Sequence, residues 1–266
     1  MWQEGLKMAK AVLVDITRCI GCRSCQVACK EWHSLPATYE EMRGEYTNPQ
    51  NLDSKCYTFI DFLDEGKEYA PVWYFVKHQC FHCIDPACVS ACPVGALKKL
   101  KDGAVVYDQW RCIGCRYCII ACPFQIPKYE WDTTNPWVRK CDFCADRIEM
   151  GLKPMCVTAC PKDVMYFDDY EKVVAEAKRR INKEPGKYVN HIYGLEEAGG
   201  TSWLYISDVP FEKLGFNEKV LKQPYPAITW KHDLSTVLLE EAGLLAILAG
   251  IAYFRNRTKS KEGQDG

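Results

Sequence analysis

The run RCIGCRSCQVAC, from Arg18 to Cys29, returns as RCIGCRYCIIAC from Arg111 to Cys122. In the first copy Cys19, Cys22, Cys25 and Cys29 are spaced C-x2-C-x2-C-x3-C; in the second, Cys112, Cys115, Cys118 and Cys122 repeat that spacing and Pro123 follows. Two variants accompany them. Cys80, Cys83, Cys88 and Cys92 read C-x2-C-x4-C-x3-C-P, and Cys141, Cys144, Cys156 and Cys160 read C-x2-C-x11-C-x3-C-P. Together the four groups use sixteen of the seventeen cysteines and leave Cys56, read as a buried or idle thiol.

So many thiols admit a disulfide scaffold, zinc ribbons or iron-sulfur clusters. No apolar export segment is found near the N-terminus, where AVLV runs straight into Asp15, and the odd cysteine count also argues against disulfides. Structural zinc draws two ligands from each of two knuckles, which C-x2-C-x2-C-x3-C does not suit. Only the fourth group, with its eleven-residue gap, leaves room for zinc. A 4Fe-4S cluster takes four thiolates, and in bacterial ferredoxin runs of this spacing the last cysteine ligates the other cluster of a pair. A repeat that cannot complete its own cluster needs a partner repeat, which explains the duplication.

The repeat extends beyond the thiols. VDITRC (Val14 to Cys19) and YDQWRC (Tyr107 to Cys112) each place an Asp four residues before the first cysteine, so each unit reads as short strand, cysteine loop and short helix. Gly21 and Gly114 let the loops turn, either as ordinary turn residues or so that backbone N–H groups face cluster sulfur. Ile20 and Ile113 are expected to shield a cluster from water. Arg23 and Arg116 are read as solvated or partner-facing charges, with stabilisation of a reduced cluster as the alternative. His78 and His82 are read as neighbours of the second group, not as ligands. An insertion between Glu31 and Lys77, with a strand-like CYTFIDF, is expected to cover the first group or to face a partner. Val173, Val174, Ala177 and Ile181 predict a helix, and residues 202–206 a strand.

With 34 basic and 35 acidic residues, charge does not point to nucleic acid. No G-x-G-x-x-G, P-loop or H-E-x-x-H is present, so no bond-breaking chemistry and no small-molecule substrate is expected of this chain. Residues 234–254, LSTVLLEEAGLLAILAGIAYF, reach about 31 Å as a helix, near the roughly 30 Å hydrocarbon core, and predict a single transmembrane helix. Glu240 and Glu241 count against it at about 2.5–3.5 kcal/mol each on insertion scales. The basic tail beyond it, 255–266, would stay cytoplasmic, with the cluster domains on the outer face of the membrane.

DITRCIGCRSCQVACKEW, CFHCIDPACVSACPVGAL, CIGCRYCIIACPFQIPKY, KCDFCADRIEMGLKPMCVTACP and YGLEEAGGTSWLY together resemble the four-cluster electron-transfer subunits of molybdopterin oxidoreductases. Most closely, they resemble the iron-sulfur (beta) subunit of membrane-bound formate dehydrogenases. The resemblance implies an α+β fold of two bacterial-ferredoxin-like, double-cubane domains. One comprises 1–77 plus 125–206 (first and fourth motifs) and the other 78–124, followed by a linker at 207–233 and the membrane helix. It implies four 4Fe-4S clusters, bound by Cys19, Cys22, Cys25 with Cys160; Cys141, Cys144, Cys156 with Cys29; Cys80, Cys83, Cys88 with Cys122; and Cys112, Cys115, Cys118 with Cys92. It also implies a molybdenum or tungsten pterin catalytic subunit as electron source and a membrane cytochrome b, then quinone, as acceptor. A hydrogenase, polysulfide reductase or dimethyl sulfoxide reductase partner, or a free polyferredoxin, are the other functions this pattern allows.

Overall fold

In the computed structural model, residues 9–38, 41, 44–64, 72–134, 136–217, 219–231 and 242–252 are described. The chain divides into two compact units, Met1–Pro226 and Ala227–Gly266.

The first unit is organised by β1 (Lys10–Asp15), KAVLVD, whose unbroken apolar run is what a strand buried on both faces requires. It is the middle strand of three. The strand β8 (Met165–Asp169) pairs with it antiparallel and β9 (Trp203–Ile206) parallel, so that Val12 lies opposite both Phe167 and Trp203. Alternation then sorts the side chains. Ala11 and Leu13 pack with Leu204 and Ile206 against Val173 and Ala177 of the long helix α6 (Tyr170–Lys183). Val12 and Val14 face the other way, into a core with Trp203, Tyr205, Phe143 and the thiols of Cys25, Cys80, Cys141 and Cys156.

Each cysteine repeat is strand, 3₁₀ turn, loop and helix. In the first, β1 and Ile16–Arg18 lead to α1 (Ser24–Trp32). In the third motif, β5 (Val105–Tyr107) and Gln109–Arg111 lead to α3 (Tyr117–Ala121). The aspartate before each repeat anchors it. Asp15, fully buried, accepts hydrogen bonds from Thr17 Oγ1 (2.6 Å), Tyr188 Oη (3.0 Å) and Arg180 Nη1 (3.1 Å). Asp108 accepts from the Trp110 N–H. The second and fourth motifs carry shorter helices: α2 (Ala87–Ser90), then α4 (Ala145–Glu149) and α5 (Met155–Thr158). The hairpins β4 (Leu97–Lys99)–β5 and β6 (Lys128–Tyr129)–β7 (Val138–Arg139) enclose a separate small core of Leu97, Val105, Cys118, Tyr129 and Val138.

The 31–77 insertion supplies the hairpin β2 (Phe59–Asp64)–β3 (Trp73–His78), whose Ile60, Phe75 and Lys77 border the first cysteine group. Residues 207–217, expected to begin a linker, instead bury Phe211, Leu214 and Phe216 in the main core.

The expected transmembrane helix over 234–254 is overturned. Among the described residues no helix is long and apolar enough to cross a membrane. The helical residues 242–252 rise only about 16 Å against roughly 30 Å of hydrocarbon. Residues 232–241, with Glu240 and Glu241, and 253–266, with the basic tail, lie outside the described residues. In the sequence Glu240 and Glu241 divide the apolar residues of this stretch, and carboxylates at membrane depth are costly. The orientation drawn from that helix and its tail loses its basis with it.

Candidate functional site

The folded loops bring thiols of different motifs into shared pockets. Cys19, Cys22 and Cys25 share a pocket with Cys160 of the fourth motif, floored by Val14, Ile60 and Met165. Cys112, Cys115 and Cys118 share another with Cys92 of the second motif, against Leu97, Tyr107 and Val138. The remaining thiols lie buried or half-buried close to one another. Burial raises the Cys83 thiol well above its ordinary pKa, and the nearby thiols of Cys122, Cys88 and Cys80 raise it further. Burial likewise pushes Cys156 up to about 11, with Lys77 opposing and Cys29 and Cys144 adding to the rise. Cys141 is raised by burial, then by Asp142, Cys29, Cys80 and Cys144.

These thiols fit iron. Burial pushes Cys25, Cys88 and Cys118 up to about 12, so without a cation among them they would stay protonated. Backbone N–H groups are already turned on the sulfurs, as iron-sulfur sites require. Ala96 donates to Cys92 Sγ (3.2 Å), Gly114 to Cys112 Sγ (3.4 Å), Phe143 to Cys141 Sγ (3.4 Å) and Ile126 to Cys122 Sγ (3.5 Å). The Gly21 N–H lowers the Cys19 thiol against the larger effect of its burial. His82, between Cys80 and Cys83, points to the same conclusion. Its Nδ1 accepts from the Val105 N–H at 2.9 Å, so Nε2 carries the proton, and that buried N–H has no protein partner. A sulfide-bearing cluster is an acceptor for it.

The loop geometry explains two sequence features. Gly21 and Gly114 take φ of +64° and +72°, and Arg23 and Arg116, opening α1 and α3, take φ of 60° and 65°. Each arginine also lies against an aromatic ring, Arg23 partly buried and Arg116 still exposed: Arg23 stacks on Phe62 (4.5 Å), Arg116 on Trp131 (4.5 Å) and Tyr129 (4.8 Å). Ile20 and Ile113 line the pockets of the first and third groups, with their outer sides 51% and 65% exposed. Gly21 is the less replaceable of the two glycines. A Cβ there would stand 2.7 Å from Phe75 Cδ1 and 3.1 Å from Phe62 Cε1, whereas at Gly114 it meets only the Tyr129 hydroxyl at 2.8 Å. Gly21→Ala is expected to cost about 1–3 kcal/mol in backbone strain alone and to lower iron occupancy of the first set. Gly114→Ala should retain more iron, and iron analysis of the two variants checks the order.

His33 ties the first motif to the fourth. Its ring hydrogen-bonds Asp142 Oδ1 through Nε2 (2.9 Å) and the Cys29 carbonyl through Nδ1 (2.9 Å), while Asp142 accepts from the Cys144 N–H (2.8 Å). Burial disfavours its charge, but the hydrogen bonds to Asp142, Cys144 and Cys29 and the charge of Asp142 together outweigh that and hold its pKa above the usual value. Cys56 is buried, its Sγ against the Thr58 carbonyl (3.1 Å), and is raised to about 11 by burial.

Sequence reasoning missed the buried lysines. Lys77 donates to Thr58 Oγ1 (2.7 Å) and Gln79 Oε1 (2.8 Å). Lys99 donates to the carbonyls of Cys83 and Gly103 (2.7 Å each), and burial lowers it to about 8. Lys140 donates to the carbonyls of Val105 and Cys141. A single lysine in a strand or beside a cysteine carries no signal in one sequence. Only the fold puts Lys77 and Lys140 inside and Lys99 partly so.

Comparison with known proteins agrees with this chemistry. Residues 71–170 match the model of the 4Fe-4S dicluster domain. A protein of Nitratidesulfovibrio vulgaris is 41% identical over 97% of this chain and 69% of its own length. The nitrate-inducible formate dehydrogenase iron-sulfur subunit of Escherichia coli is 34% identical over 93% of this chain and 84% of its own. The Hydrogenase-2 operon protein HybA of Escherichia coli O157:H7 is 32% identical over 96% and 86%. With this identity over nearly the whole length, the chain belongs to the family of 4Fe-4S electron-transfer subunits that includes the formate dehydrogenase iron-sulfur subunits.

Proposed function

We propose that this chain conducts electrons from a formate-oxidising catalytic subunit, bearing a molybdenum or tungsten pterin, to a membrane cytochrome b. Its four clusters are held by Cys19, Cys22, Cys25 and Cys160; by Cys29, Cys141, Cys144 and Cys156; by Cys80, Cys83, Cys88 and Cys122; and by Cys92, Cys112, Cys115 and Cys118. When bound, the clusters accept and release single electrons; the polypeptide holds, spaces and insulates them.

The observation that carries the reading is the succession of the thiol sets. Cys25, Cys156, Cys141 and Cys80 meet in the main core and Cys88 and Cys118 in the small one, which supports a row of four sets in that order. The two outer sets each hold an exposed thiol, Cys22 and Cys115, while the inner two hold none. A row of redox centres open at both ends and closed in the middle suits transfer between two partners.

Metal analysis of the purified chain tests the first half of the proposal, with about sixteen iron and sixteen sulfide expected for four 4Fe-4S clusters. A colourless protein holding four zinc would end it. Purification with its catalytic partner, followed by dye reduction with formate and with hydrogen, tests the second. Dye reduction by formate is the expected result. Reduction by hydrogen alone would assign the chain to a hydrogenase, as the likeness to the HybA protein allows.

A further inference from the structure

Lys77 is 3% exposed, and its ammonium makes contact with uncharged groups: Thr58 Oγ1, Gln79 Oε1 and, at 4.5 Å, the face of the Trp203 ring. Taking an ammonium out of water costs several kcal/mol, and such neutral partners return only part of it. The compensating negative charge comes from the sulfur sites. Lys77 lines the pocket of Cys19, Cys22, Cys25 and Cys160, and the thiols of Cys156, Cys25, Cys141 and Cys29 all bear on it. It therefore serves two sets at once, across the joint between the first and fourth motifs.

We propose that Lys77 is a fixed buried cation shared by two adjacent clusters, holding both reduction potentials up and leaving the two far clusters unaffected. The inference rests on the ligand sets proposed above. Reduction adds one electron to a cluster and moves no proton, so the cluster gains one negative charge, which a buried ammonium stabilises. The electron comes from the catalytic partner in the complex, or from a low-potential chemical reductant in a titration. Lys140, 7% exposed and acted on by Cys80, Cys88 and Cys141, occupies the next joint in the same manner.

The test is an EPR-monitored redox titration of the whole complex carrying Lys77→Met. Four signals at full iron content are expected. Two of them, those that Cys22→Ala and Cys156→Ala remove, should be harder to reduce by about tenfold in equilibrium constant, or ~59 mV for one electron. The other two should not move, and Lys77→Arg should restore the wild-type values. Lys77→Gln keeps a donor for Thr58 and Gln79 without the charge, and reads the same shift should Lys77→Met fail to fold. Lys140→Met should shift a different pair, the sets of Cys156 and Cys83. Full iron with four unmoved potentials, an equal shift of all four, or no rescue by arginine would overturn the proposal. Failure of the ligand sets shows separately, in the cysteine variants, before any lysine is changed.

Discussion

Cys29→Ala is expected to remove the cluster of Cys141, Cys144 and Cys156, not that of its own motif. Cys29 lies in α1, six per cent exposed, and its charge acts on Cys141 and Cys156 across the joint between the first and fourth motifs. The three thiols nearest to it in sequence turn instead toward Cys160. Loss of one cluster takes about four of about sixteen iron per chain. The missing EPR signal should be the one that Cys156→Ala removes, while the signal sensitive to Cys22→Ala persists. Because the sets are arranged in a row, the same variant should nearly stop electron flow from one end to the other. Loss of the Cys22-sensitive signal with the Cys156-sensitive one intact would show that each motif completes its own cluster, and the proposed ligand sets would fall with it.

The largest stability effect is expected at Trp203. Its side chain is fully buried opposite Val12, packs 5.8 Å from the Phe143 ring and lies under the Lys77 ammonium. Trp203→Ala opens a cavity in the core that Trp203 shares with the thiols of Cys25, Cys80, Cys141 and Cys156, and a change of that size costs about 3–5 kcal/mol. That is a large part of the roughly 5–15 kcal/mol that stabilises a folded domain. Unfolding that destroys the clusters is irreversible, so the measurement is the rate at which the visible iron-sulfur absorbance bleaches at fixed temperature. Trp203→Ala should bleach much faster than wild type. Trp203→Phe should lie close to wild type, because the indole N–H it removes is buried without a partner. Equal rates for wild type and Trp203→Ala would mean that this core does not limit access to the clusters.

Legibility in the sequence followed the range of the interactions involved. The strand–loop–helix unit of each repeat is set by neighbours a few residues apart: β-branched residues, a glycine able to take positive φ, and cysteines at the pitch a cluster needs. The helix Tyr170–Lys183 was equally plain from Val173, Val174, Ala177 and Ile181. The rings on which Arg23 and Arg116 stack are not legible in the sequence, because Phe62, Tyr129 and Trp131 lie more than ten residues away. Residues 211–216 were read as linker because a short aromatic run between prolines and glycines has no period of its own. Its place in the core depends on Tyr193 and Tyr205, whose rings meet Phe216 at 4.7 and 5.0 Å. The membrane helix failed for the opposite reason, since length was counted across two glutamates that divide the apolar run.

By itself the sequence determined the cofactor class and the number of thiol groups, because iron-sulfur chemistry writes its requirement into the spacing of cysteines along the chain. Tertiary structure decided the shared pockets, of Cys160 with Cys19, Cys22 and Cys25 and of Cys92 with Cys112, Cys115 and Cys118, and the burial of Lys77 and Lys140. Those are matters of distance through space between residues far apart in the chain, set by the pairing of β1 with β8 and β9, and no local spacing encodes them.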